Sequence, residues 1–301
     1  MSVPHMSFHD RPIGIFDSGV GGLTVLRALR ERLPAESLLY LGDTARLPYG
    51  TKSPETIARY AVQAAGLLVE RGIKLLVVAC NTASAHALDA LRDAYPDIEV
   101  TGVIEPGAEA ACAASVSGRI AVIATESTAR AGAYQHAIQR IRGDADVVTQ
   151  ACSVFVALAE EGWLDGPVAQ AAAQRYLAPL FGGSGAGPDT LVLGCTHFPL
   201  LSPVLKGIVG PDVKLVDSAV TTAEVVAGML ERAGVAAGNG LLPGPAPAPI
   251  RLLATDAPDR FARVAANFLP FPITAAMVEL VDLQQAGATA SSKDTAKLVR
   301  T

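Results

Sequence analysis

Cys80 and Cys195 each close an apolar run that reads as a buried strand, Leu75–Ala79 before the first and Thr190–Leu193 before the second. Polar residues follow both, Asn81-Thr82 and Thr196-His197. The chain has four cysteines, Cys80, Cys112, Cys152 and Cys195, too few for a disulfide framework in 301 residues. In a reducing compartment they are thiols, each either a small buried hydrophobe or a reactive group. Two thiols at matching strand ends, each in a polar cluster, point to reactivity. A thiol titrates near about 8.5 unperturbed, close to the range in which acid–base groups work best, and a helix N-terminus lowers that value. One thiolate and one thiol facing the same carbon perform a two-base proton transfer. One removes a proton from one face, the other returns one to the opposite face, and the roles exchange with direction. That is the chemistry of racemisation.

Other residues could assist. Asp17 ends an apolar strand and reads either as a cleft acid or as a helix N-cap. His197 stands two residues beyond Cys195 in a polar cluster. Glu160 and its neighbour Glu161 read equally as a site acid or a solvated helix edge. The turn Ser18–Gly22 and the segment Pro48-Tyr49-Gly50 offer backbone N–H groups that can approach a carboxylate, although the latter also reads as an ordinary turn. Thr82, Thr125 and Thr196 add hydroxyls. A small zwitterion suits such a set.

The elements that must position these residues alternate in type. Strands are expected at Pro12–Phe16, Leu38–Gly42, Leu75–Ala79 and Glu99–Ile104, and helices through Leu23–Leu29, over Thr56–Arg71 and from near Ser84. The plan then restarts, with strands at Arg119–Ala124, Val147–Thr149, Thr190–Leu193 and Lys214–Val216. Helices are expected at Thr128–Ile141, Ser153–Glu160 and Val168–Leu180. A Pro/Gly/Ala-rich linker, Gly234–Pro249, precedes a strand at Ile250–Ala254 and a helix at Pro258–Phe268. This alternation implies α/β architecture with mainly parallel sheets. Two similar α/β blocks facing each other would enclose a cleft, with Asp17, Asp43, Cys80, Thr125 and Cys195 at carboxyl ends of strands, where such sheets bind ligands.

Composition narrows the function classes. Half the residues are hydrophobic, 18% are charged and the net charge is −5. A nucleic-acid partner is not expected, because no basic cluster is present. No run approaches the roughly 18 apolar residues of a membrane span, and residues 1–10 lack the order of a secretory signal. A soluble cytoplasmic protein is the expectation. The polar, small residues from about 284 onward are expected to be disordered.

Taken together, the segments Gly14-Ile15-Phe16-Asp17-Ser18-Gly19-Val20-Gly21-Gly22-Leu23-Thr24-Val25, Leu41-Gly42-Asp43-Thr44-Ala45-Arg46-Leu47-Pro48-Tyr49-Gly50, Ala79-Cys80-Asn81-Thr82-Ala83-Ser84, Val103-Ile104-Glu105-Pro106-Gly107 and Leu193-Gly194-Cys195-Thr196-His197-Phe198-Pro199-Leu200 resemble the glutamate racemases of the aspartate/glutamate racemase superfamily. Asp217-Ser218-Ala219 also fits. The resemblance runs in order across roughly residues 12–270. It implies catalytic thiols at Cys80 and Cys195, assisted by Asp17, His197 and Glu160. It implies substrate contacts at Asp17, Ser18, Pro48, Tyr49, Gly50, Asn81, Thr82, Thr125, Thr128, Cys195, Thr196 and His197, with Asp43 in support. It further implies no cofactor and no metal, a homodimer, and supply of D-glutamate for peptidoglycan. A second domain, residues 105–213, would be inserted in a first of residues 1–104 and 214–280, leaving 281–301 as a tail. Ala124 departs from the glycine many members carry before the threonine.

Other readings remain. Strand Pro12–Phe16, glycines 19, 21 and 22, and Asp43 imitate a dinucleotide-binding unit, but Thr24 stands where a third glycine belongs and Asp17 would repel pyrophosphate. Cys195, His197 and Cys80 invite a zinc reading without a supporting ligand motif. A catalytically silent binding protein would not need both thiols. Aspartate is the alternative substrate.

Overall fold

The computed structural model describes residues 7–182, 187–237 and 247–283. The first block runs β1 (Ile13–Asp17), α1 (Leu23–Arg32), β2 (Leu38–Gly42), α2 (Pro54–Glu70), β3 (Leu75–Val78), α3 (Asn81–His86), α4 (Leu88–Ala94), β4 (Glu99–Gly102) and α5 (Ile104–Ala114). The second runs β5 (Arg119–Ala124), α6 (Glu126–Ala131), α7 (Ala133–Ile141), β6 (Asp146–Ala151), α8 (Val154–Glu160), α9 (Gly166–Phe181), β7 (Thr190–Gly194), α10 (Ser202–Val209) and β8 (Lys214–Asp217). Then come α11 (Ser218–Ala233), β9 (Ile250–Ala254), α12 (Pro258–Ala265) and β10 (Val278–Leu280).

Two all-parallel sheets result, ordered β10-β9-β2-β1-β3-β4 and β6-β5-β7-β8. Each contains the same sub-order: second strand, first, third, fourth. The switch point of such a sheet lies between its first and third strands, and the crevice beyond their carboxyl ends is where ligands bind. In the larger sheet that crevice receives Asp17-Ser18 after β1 and Cys80-Asn81 after β3. In the smaller it receives Thr125 after β5 and Cys195-Thr196 after β7. The thiols are thus topological equivalents, and the α/β architecture with two parallel sheets stands as expected.

Central strands β1, β2, β3 and β7 are buried along their whole length. Each sheet is covered on both faces by separate apolar clusters, as parallel sheets require. The strand β8 differs from the expected partition: it pairs with β7, so residues 214–217 belong to the smaller sheet and the chain rejoins the larger one only through α11 and β9.

Three further expectations need correction. The stretch Glu99–Ile104 does not stay extended: β4 ends at Gly102 and Ile104 opens α5. The helix expected over Thr128–Ile141 is two helices, broken at Gly132, whose φ of 62° is left-handed. Residues 281–283, expected to belong to a tail, are instead part of the packed fold: Val281 is buried in the core and Leu283 packs against it. Residues 284–301, and 238–246 of the linker, lie outside the described residues.

Candidate active site

Asp17 ends β1 and is 1% exposed. Its Oδ2 accepts from Gly19 N at 2.9 Å and meets the Tyr40 hydroxyl at 3.3 Å. The glycine-rich turn therefore folds its amides onto its own carboxylate, which removes the anion cradle a dinucleotide would need. Burial raises the Asp17 carboxyl above its usual range, against the opposing charge of His197 and the bonds from Gly22, Gly19 and Tyr40.

Cys80 caps α3. Its Sγ accepts from Ala83 N and lies against Ser18 Oγ, both at 3.4 Å. Burial, then the charge of Asp17, push the Cys80 thiol up to about 12. Cys195 has a different setting. No regular α-helix opens at this cysteine; a 3-10 turn, Phe198–Leu201, follows it. Its Sγ sits 3.7 Å from His197 Nδ1, and His197 Nε2 lies 3.3 Å from Glu160 Oε1. Burial disfavours charge on His197, but the bonds to Cys195 and Glu160, with the charge of Asp17, outweigh it and hold the imidazole up to about 10. Cys195 thus faces an imidazole held in its protonated form, whereas Cys80 lies in the field of a carboxyl. Glu160, not Glu161, turns inward: its side chain is 15% exposed, while Glu161 is exposed. The two cysteines are close enough for charge on Cys195 to act on Cys80.

A cavity of about 310 Å³ joins these groups, lined by Asp17, Ser18, Pro48, Tyr49, Gly50, Cys80, Asn81, Thr82, Thr125, Glu160, Cys195, Thr196 and His197. That is the small end of the ligand-pocket range, suited to a small molecule rather than a dinucleotide. No Lys or Arg lines it among the described residues. Anionic groups would be met by hydroxyls, amides and the imidazolium. Asn81 Nδ2 donates to Tyr134 OH at 2.8 Å, which leaves its buried Oδ1 unpartnered.

One expected contact, Thr128, falls outside this lining, and so does the expected supporting residue Asp43. Thr128 is buried behind the cavity, its hydroxyl 3.0 Å from Thr125 and 3.2 Å from Thr82, so it positions those two hydroxyls. Asp43 lies behind Tyr49: it accepts from the Tyr49 hydroxyl, from Arg46 Nε at 2.7 Å and from Thr255 Oγ1 at 3.0 Å. It anchors the loop that carries Pro48-Tyr49-Gly50. The sequence reading missed Ser153, Val156 and Ala157, which line the cavity from the α8 segment. Their spacing ahead of Glu160, seven, four and three residues, is one helical face and was the available signal.

The halves meet at this site through close contacts. A Cβ on Gly21 would clash with His197 Nδ1 and Thr196 Oγ1, so glycine lets the first turn reach the Cys195 loop. Thr24 Oγ1 bonds Thr196 O at 3.1 Å, and His86 Nε2 lies 3.0 Å from Ser127 Oγ. Among the described residues, no group of three or more His, Cys, Asp or Glu is gathered as metal ligands, and no helix is long and apolar enough to cross a membrane.

Fold and cavity together define a class: a two-sheet parallel α/β enzyme furnished for acid–base chemistry on a small polar molecule. The family model for Asp/Glu/hydantoin racemases matches residues 13–226. A glutamate racemase of Geobacter metallireducens is 54% identical over 259 residues, 86% of this chain and 93% of that protein. The crystal structure of glutamate racemase from Francisella tularensis in complex with D-glutamate aligns with a TM-score of 0.82 at 33% identity, covering 92% of this chain and 99% of that one. That of Escherichia coli glutamate racemase, in complex with L-glutamate and the activator UDP-MurNAc-Ala, aligns at 0.72 and 31%, covering 90% and 98%. The chain belongs to the Asp/Glu/hydantoin racemase family and is an isomerase.

Proposed function

We propose that this protein is a glutamate racemase that interconverts L- and D-glutamate with Cys80 and Cys195 as its two bases. In one direction the Cys195 thiolate takes the α-proton and the Cys80 thiol delivers its own to the opposite face. In the other direction the roles reverse, and each turnover leaves the thiol and thiolate exchanged, to be reset through solvent or by the reverse reaction. The observation that carries this reading is that both sulfurs line one small cavity, each from a different sheet, Cys195 against His197 and Cys80 against Ser18 and in the field of Asp17.

The unpartnered Asn81 Oδ1 is an acceptor suited to the substrate ammonium, and Ser18, Thr82, Thr125 and Thr196 supply hydroxyls to its carboxylates. Protein groups provide both acid and base, so the reaction needs no cofactor. Glutamate as substrate is supported by relatives of that name, two of which hold its D- and L-forms. Because the relatives are bacterial, the D-glutamate formed would serve peptidoglycan synthesis in the cytoplasm. A racemisation assay by polarimetry or circular dichroism, with pure L-glutamate and L-aspartate in separate reactions, tests the substrate. Loss of optical rotation with glutamate and not aspartate is expected; the reverse pattern overturns the assignment.

A further inference from the structure

The Cys195–His197–Glu160 chain does not end at Glu160. Oε2 of that carboxylate receives Nη2 of Arg260 at 2.6 Å, while Oε1 faces His197 at 3.3 Å. Arg260 lies on α12, which packs beside β10 in the larger-sheet half. Cys195, His197 and Glu160 all belong to the half built on the smaller sheet. Other α12-region side chains grip the same place. Asn267 Nδ2 donates to Glu160 O at 3.0 Å and reaches Ala159 O at 3.3 Å. The Phe268 ring meets the His197 ring edge-on, with centroids 5.4 Å apart.

We infer that Arg260 is a positioning residue for the reaction: by holding Glu160 Oε2 it aims Oε1 at His197, and so stabilises the imidazolium that faces Cys195. The cation reaches across the junction, so the Cys195 side of the site is complete only when both halves are in contact. A Glu160 side chain without Arg260 would be free to turn toward solvent, because His197 alone binds it through one oxygen. Two cations on one carboxylate also keep Glu160 ionised despite its burial: burial raises it, but His197 and Arg260 hold it below the usual carboxylate range. Of the other titratable groups nearby, Asp17 from the end of β1 faces His197, and Cys80 from the start of α3, Cys152 after β6 and Tyr134 from α7 face Cys195. None of them touches Glu160, so the effect of Arg260 is routed through the carboxylate.

This inference rests on the assignment of Cys195 as a base. The test is the rate of iodoacetamide alkylation at Cys195 against pH, read by peptide mass spectrometry so that the four cysteines are resolved. Arg260→Met is expected to lower that rate roughly tenfold on the acid limb while leaving the high-pH plateau, which reports access alone, unchanged. Arg260→Lys restores most of the loss. Glu160→Gln reproduces it, and adding Arg260→Met to Glu160→Gln gives no further fall. An unchanged acid limb in folded Arg260→Met, a rise in rate, or full additivity of the two changes overturns the inference. Cys195→Ser separates the two layers. If it still racemises, the base assignment fails; if it is inactive while Arg260→Met alkylates as the wild type, only the role of Arg260 fails.

Discussion

Burial and the Asp17 charge push the Cys80 thiol up to about 12, whereas Cys195 looks onto an imidazolium that the Cys195 sulfur itself, Glu160 and Asp17 maintain. Residues of one type thus sit in opposite acid–base settings, which is how a pair of identical groups is poised for complementary roles. Cys80→Ser and Cys195→Ser are each expected to lower turnover by at least about 10²–10⁴-fold with an unchanged circular dichroism spectrum. Substantial activity in either variant would contradict the roles given. The His197 proton also sets a pH limit. Its folded value, about 10, lies above the unfolded value near 6.5. The stability it contributes is therefore complete below about 6.5 and is lost as pH rises through about 10. kcat/KM is expected to fall over the same upper range, and a flat alkaline profile from pH 8 to 11 would count against the imidazolium. At this scale the sequence was informative. Cys80, Cys195, Asp17 and His197 were all visible, because strand ends and polar neighbours mark them. Arg260 was not, since nothing near it in the chain signals a carboxylate 100 residues away.

Among elements, the strands were the most legible, with β2, β5 and β9 lying where their apolar runs predict. Helices α5 and α11 were not. No helix was expected over α5, whose first turn holds Pro106 and Gly107; the proline stands where its missing N–H costs nothing. Gly107 sits where a Cβ would approach Tyr134 at 3.1 Å and Ser218 at 3.3 Å, so its smallness serves packing. The β-branched run Val220-Thr221-Thr222 disguised α11, whose start is fixed by Asp217 accepting from Ala219 N at 2.8 Å. Turn geometry yields a prediction of its own. Gly21→Ala would push the Cys195–His197 loop away, and a displacement of about 1 Å is expected to lower kcat/KM about 10²-fold; wild-type kinetics would show that the close approach is not required. Far from the site, Lys74 precedes β3 and Glu36 precedes β2, and their ion pair of 2.7 Å is buried. Lys74 also donates to His9 O and Val235 O, and Glu36 accepts from Ala237 N, tying four segments together. Lys74→Ala is expected to cost about 3–5 kcal/mol in urea unfolding without moving KM; a cost near zero would refute the staple.

On the scale of the molecule, the repeated strand order explains why two cysteines remote in sequence arrive as equivalents. Sequence similarity between the blocks is confined to strand ends, so the sequence hinted at this repetition, and the topology displays it. What the sequence left open was where the halves lock. Gly21 against Thr196, Thr82 against Thr125, Asn81 against Tyr134 and Arg260 against Glu160 all join residues remote in the chain, and no local pattern encodes such pairs. The cavity exists only because these contacts close it, so a probe of the reacting carbon tests the whole assembly. Racemisation of L-glutamate in D2O, stopped at low conversion and read by mass spectrometry of the separated enantiomers, asks whether two different sulfurs serve that carbon. Deuterium at the α-position of nearly all D-glutamate, with protium retained in the remaining L-glutamate, is the predicted result. Deuterium entering both enantiomers at equal rates, as a single exchanging base would produce, would contradict it.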